Sequence, residues 1–130
     1  MKIAECWKEE GVTIPAPYER TIKAIFAPDK GGVDELLFTQ AIIYPHSQTD
    51  LHTHDRGELI YVISGRGFAR SSGGETPIST DVAIWAEKGE LHQIVNTGDE
   101  SMKLATVFVP PYTAKENYDR CVEAAKAQGQ

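Results

Sequence analysis

Between Thr21 and Pro110 the chain is built from short runs of β-branched and aromatic residues, each closed by a turn signal. No other feature limits the fold as much. The runs Thr21–Ala27, Glu35–Tyr44, Glu58–Ser64, Gly67–Arg70, Val82–Ala86, Glu90–Val95 and Met102–Val109 hold residue types that suit a pleated, half-buried surface. Asp29-Lys30-Gly31-Gly32, Ser64-Gly65, Ser71-Ser72-Gly73-Gly74, Glu87-Lys88-Gly89 and Asn96-Thr97-Gly98-Asp99 separate them with residues that tolerate tight turns. Many short strands at close spacing predict an all-β sandwich or barrel.

The flanks read differently. Residues 1–20 have mixed composition with Pro15 and Pro17 close together, and form an expected irregular or extended N-terminal arm. Tyr118, Cys121, Val122 and Ala125 recur at helical spacing. Thr113 and Glu116 form a capping-box pattern just after the break at Pro110-Pro111. The expected layout is an arm over 1–20, a β domain over 21–110, and a C-terminal helix over 111–130 packed on the outside to cover an edge or apolar surface. At 130 residues this fits one domain.

Charge and composition exclude several classes. Thirteen basic against 19 acidic residues give a net charge of −6, which disfavours nucleic-acid binding driven by phosphate neutralisation. No apolar run approaches a membrane span, and the charged N-terminus lacks the apolar stretch of a signal peptide. Cys6 and Cys121 lie near opposite ends and read as reduced thiols, so a cytoplasmic location is expected. Neither a phosphate-binding glycine loop nor a serine nucleophile elbow is present.

The chemistry concentrates in the histidines. Of the four, His46, His52 and His54 fall within nine residues, and His92 stands apart on a later strand-like segment. On a strand, positions i and i+2 face the same way, so the His52 and His54 imidazoles can enter one cavity. Glu58 opens the next strand. Three imidazoles and one carboxylate suit a divalent first-row ion (Mn, Fe, Co, Ni, Zn or Cu), and four protein ligands leave a position open for a substrate. Period two then puts Ile60 and Val62 inward with Glu58, and Leu59, Tyr61 and Ile63 outward.

Taken together, His52, His54, Glu58 and Gly65, followed by Gly89, His92 and Asn96, resemble the paired motifs of the cupin superfamily over roughly residues 35–110. The resemblance implies a double-stranded β-helix, or jelly-roll, barrel of two antiparallel sheets. It also implies a homodimer and a metal held by His52, His54, Glu58 and His92. Three turn positions depart from the family pattern: His46 and Asp81 replace glycines, and Glu87 replaces a proline. His46 has two readings, an acid or base beside the metal or a surface loop histidine.

The expected function is a metal-dependent enzyme acting on a small oxygenated molecule bearing a carboxylate, keto or hydroxy group. Decarboxylation, isomerisation or elimination, and dioxygenation all fit, because fold does not fix chemistry. His46, Tyr44 and Glu87 are the candidates for proton transfer. Tyr44 shares a mixed strand face with Phe38, Gln40 and Ile42, which offers hydrogen bonds to a substrate. Arg20, Arg66 and Arg70 are candidate carboxylate anchors or plain surface residues. Trp85 reads as pocket wall or core. The alternative is a non-catalytic module that binds a metal or small ligand. The arm is expected to pair with a partner's sheet, shielding an edge.

Overall fold

The structure, a computed structural model, describes residues 1–129. Nine strands and one helix follow a 3₁₀ turn at Cys6–Lys8. The strands are β1 (Val12–Ile14), β2 (Arg20–Phe26), β3 (Leu37–Ile43), β4 (Gly57–Ser64), β5 (Arg66–Ser71), β6 (Gly74–Ser79), β7 (Ala83–Ala86), β8 (His92–Asn96) and β9 (Met102–Val109), and the helix is α1 (Ala114–Gln128). Two sheets form, in the orders β1-β2-β3-β9-β4-β7 and β6-β5-β8. All strand pairs are antiparallel. The expected all-β cupin-type sandwich with a C-terminal helix is what the chain forms.

Alternation decides what enters the core. Leu37, Thr39, Ala41 and Ile43 of β3 are buried, as are Glu58, Ile60 and Val62 of β4. Between the two sheets Ala41, Ile43, Ile60, Val62, Ile78, Ile94, Met102 and Leu104 pack into one apolar cluster. Gly65 makes the β4–β5 turn at φ 110°, and a Cβ there would sit 2.8 Å from the Met102 backbone. Only glycine meets both demands.

Two strands were not legible in the sequence. β1 lies inside the arm, between Gly11 and Pro15, and pairs with β2. β6 reads as polar turn sequence, and only Ile78 in it is buried. Its Pro77 is tolerated because β6 is an edge strand, where a missing N–H breaks no ladder.

The helix forms as its cap predicts. Thr113 Oγ1 accepts from the Glu116 amide at 3.1 Å, and Glu116 Oε1 accepts from the Thr113 amide at 3.1 Å. Asp29, from the β2–β3 connection, adds a second cap by accepting from the Ala114 and Lys115 amides at 2.6 and 3.2 Å. The helix does not lie on the outside of the β domain. Its Cys121 and Ala125 pack on Ile14, Tyr18 and Ile22, while Tyr112 and Ala114 pack on Ala24, Leu37 and Phe108. It therefore covers part of the large sheet's inner face, which is too long for the three-stranded sheet to cover alone. No helix among the described residues is long and apolar enough to cross a membrane.

Candidate metal centre

His52 and His54 sit in the segment before β4 rather than on a regular strand. A single antiparallel bridge fixes them. The His52 amide donates to the His92 carbonyl at 3.1 Å, and the His92 amide returns the bond at 2.9 Å. The His52 and His92 rings lie 4.4 Å apart, and the His52 and His54 rings 4.6 Å apart. Glu58 enters beside them at the start of β4. One donor atom from each of His52, His54, Glu58 and His92 lies within 4.8 Å of the others. Ligand bonds of about 2.0–2.2 Å would hold the donors of one ion at close to that spacing.

Hydrogen bonds set the ring tautomers. His52 Nδ1 donates to the Asp50 carbonyl at 2.8 Å, and His92 Nδ1 donates to the Glu90 carbonyl at 2.8 Å. Carbonyls only accept, so each of these two rings carries a proton on Nδ1 and turns Nε2 toward the cluster. His54 Nδ1 is buried with no hydrogen-bond partner among the described residues. Glu58 Oε1 faces His54 Nε2 at 3.1 Å and His92 Nε2 at 3.2 Å. This concentration of buried nitrogen and oxygen donors, one of them orphaned, fits a divalent cation.

The electrostatics favour an anionic Glu58 and a neutral His54. Burial pushes the Glu58 carboxyl up, but hydrogen bonds from His54 and His92 overcome it and bring the group down to about 2. Glu58 is thus an anion. Burial lowers His54 to about 4, which keeps it neutral as a ligand must be. At His92 burial is opposed and outweighed by Glu58 and the Glu90 carbonyl, and the pKa rises. Behind His52, Asp50 is buried and receives Arg20 Nη2 at 2.7 Å, with its other carboxylate oxygen 3.2 Å from His52 Nδ1. Burial works against the ionised Asp50, yet His52 and Arg20 hold it well below the ordinary carboxylate range. Such a carboxylate fixes ring orientation and raises ligand basicity.

The four donors line one side of a cavity of about 60 Å³. Ile60, Ile94, Leu104 and Phe108 form apolar wall, Thr39, Thr49 and Thr106 bring hydroxyls, and α1 contributes Asn117, Arg120 and Cys121. Burial raises the Cys121 thiol, which therefore stays protonated.

The residues expected to move protons lie elsewhere. His46 is exposed and bonds Asp99 at 2.7 Å. Its backbone φ is 58°, and that of Asp81 is 69°. These are the two described non-glycine residues in the left-handed region, at the two positions where the family pattern has glycine. His46 thus serves the turn, and it is not among the residues that line the cavity. Tyr44 lies on the outward face of the β3 run and its hydroxyl bonds Thr21 Oγ1 at 2.5 Å. The inward face is the opposite one, which the sequence shows as the more apolar. Glu87 is exposed in the β7–β8 turn. Trp85 is not core and does not line this cavity: it is 53% exposed and lies over Gly57. Of the three arginines considered, only Arg20 reaches the cavity; Arg66 is exposed, and Arg70 binds Glu75 and Gln93. Sequence reasoning missed Asp50, Asn117 and Arg120. Asp50 stands two residues before His52, so parity was the available signal there; Asn117, Arg120 and Cys121 share one helical stripe, which does not say what that stripe faces.

Comparison with known proteins agrees with the geometry. A family model described as Cupin domain matches residues 40–109. L-ectoine synthase from Aliivibrio fischeri is 35% identical over 78 residues, covering 59% of this chain and 61% of that protein. An oxalate-binding protein from Thermotoga maritima is 30% identical over 74 residues, covering 56% of this chain and again 61% of the relative. The matched stretch thus spans about three fifths of either relative's length. Among solved structures, ectoine synthase from P. lautus superposes with a TM-score of 0.76 at 18% identity, covering 94% of this chain and 87% of that one. The chain belongs to the cupin family.

Proposed function

We propose that the chain is a metal-dependent cupin enzyme acting on a small molecule that carries a carboxylate, keto or hydroxy group. One observation carries this reading: His52, His54, Glu58 and His92 converge on the wall of a cavity instead of closing into a cage. A divalent ion held by these four residues would supply Lewis acidity toward an oxygenated ligand. The chain's own residues do the rest. Apolar Ile60, Ile94 and Leu104 exclude water, the mutually bonded Thr39 and Thr106 hydroxyls leave one O–H to offer a polar group, and Asp50 holds His52 in its ligating tautomer.

The test is metal content. Protein purified without added metal is expected to carry about one equivalent of a first-row ion. His52→Ala and His92→Ala are each expected to lose it. Stoichiometric metal in both variants would sink the site. Iron would direct the search to dioxygen chemistry, and manganese, nickel or zinc to redox-neutral decarboxylation, isomerisation or elimination.

A binding module without catalysis is the second reading. It is favoured by the placement of His46, Tyr44 and Glu87 outside the cavity, and the Thermotoga relative is named for binding. Failure of metal-loaded protein to convert any small carboxylate that it binds would favour this reading.

The outer face of β4, β7 and β9 exposes Leu59, Tyr61, Trp85 and Val109. Register places Leu59 opposite Trp85 and Gly57 opposite Val109, so these side chains form one patch. It supports a homodimer.

A further inference from the structure

We propose that Arg120 of α1 anchors a carboxylate in the cavity, which makes the ligand a small anionic acid whose second oxygen donor faces His52, His54, Glu58 and His92. The inference rests on the metal reading above and adds the substrate class.

The first argument is charge. Arg20 and Asp50 neutralise each other at 2.7 Å. Glu58 offsets one of the two charges of a divalent ion. Arg120 adds a further positive charge, and no acidic residue among the described ones forms an ion pair with it. Its contacts are neutral: Nη2 donates to Asn117 Oδ1 at 2.5 Å, and Nε is buried without a partner. Asp55, which bonds Tyr112, is already taken by Arg56. A loaded cavity is therefore over-positive, and burying such an excess is costly unless an anion enters.

The second argument is geometry. The Arg120 guanidinium stands 5.6 Å from the Phe108 ring centre and 4.9 Å from that of Tyr112. The His54 ring packs on the same Phe108 ring at 5.0 Å. Guanidinium and donor cluster therefore flank one aromatic wall, and a short molecule can reach both. A volume of about 60 Å³ admits roughly four to six water-sized groups, the size of a short keto or hydroxy acid. A guanidinium fork suits a carboxylate better than any other side chain does.

Titration calorimetry of manganese-loaded and metal-free protein with pyruvate and its neutral amide tests this. Wild type is expected to prefer the acid by about ten- to a hundredfold, the worth of a charged hydrogen bond. Arg120→Met keeps the stem against Phe108 and Tyr112 and removes the fork. It is expected to lose that preference while amide binding, manganese content and melting temperature stay unchanged. Arg120→Lys should recover part of it, and Arg66→Met none of the loss. Retention of the acid preference in Arg120→Met, or its absence from wild type, overturns the proposal and leaves the metal site standing. If wild type takes up neither manganese nor any other first-row ion, the metal reading fails, and the metal-free titrations still decide Arg120.

Discussion

Along β4 the inward side chains run Glu58, Ile60, Val62, and along β9 they run Phe108, Thr106, Leu104, Met102, with Glu58 paired to Phe108 and Val62 to Leu104. β3 follows the same gradient from Thr39 to Ile43. One end of the interior is thus dry and tightly packed, and the other is a polar cavity. Both are built on the same strands with the same parity. Strand pairing dictates which residues point inward, and only side-chain chemistry decides which end carries stability and which end binds.

This division can be broken from either end. Ile43 is fully buried in the dry cluster. Ile43→Ala is expected to cost about 2–5 kcal/mol in thermal or denaturant melts, with metal per folded chain unchanged below the transition. Glu58→Gln is expected to do the reverse. It should abolish stoichiometric metal while the metal-free melting temperature moves little, because the neutral amide still fills the site. If both variants lose metal and stability together, the two ends are one cooperative unit and the comparison fails.

Smaller effects sharpen it. Asp29 caps α1 from the β2–β3 connection. Burial opposes its charge, but the Ala114 and Lys115 amides win and lower its pKa from 3.8. A depressed folded pKa stabilises above the unfolded value, and that contribution fades as pH falls through the folded one. Asp29→Ala is therefore expected to lose about 1 kcal/mol at neutral pH. The gap from wild type should close in acid melts run below pH 3.8. Smallest is His46→Gly. Relief of the left-handed strain, less the extra freedom of unfolded glycine, nets at most about 1 kcal/mol in favour of the variant. Metal content and ligand affinity should not change, and a fall in either would return His46 to the site.

Much of the fold was legible because burial and strand period coincide. β2, β3, β4, β8 and β9 follow apolar runs, and the Thr113–Glu116 box marks the helix start. β6 was hidden because an edge strand with a single buried residue has no hydrophobic pattern to show. The donor set could be gathered from His-x-His, Glu58 and His92, since motif spacing survives whether or not the segment is a strand. Tyr44 was misplaced because a polar-apolar mixture on β3 resembles a ligand face, whereas the true cavity face carries threonines that pass for apolar positions. Arg120 escaped notice because nothing local distinguishes a helix arginine over a barrel interior from one in solvent.

The backbone bridge between His52 and His92 has a kinetic consequence. It joins the segment before β4 to β8 in the smaller sheet, two parts of the chain far apart in sequence. The four donors therefore assemble only after a slow, long-range loop closure. Fast local structure such as α1 precedes it. An ion that binds only the assembled site acts late on the folding pathway, so it should slow unfolding more than it speeds folding.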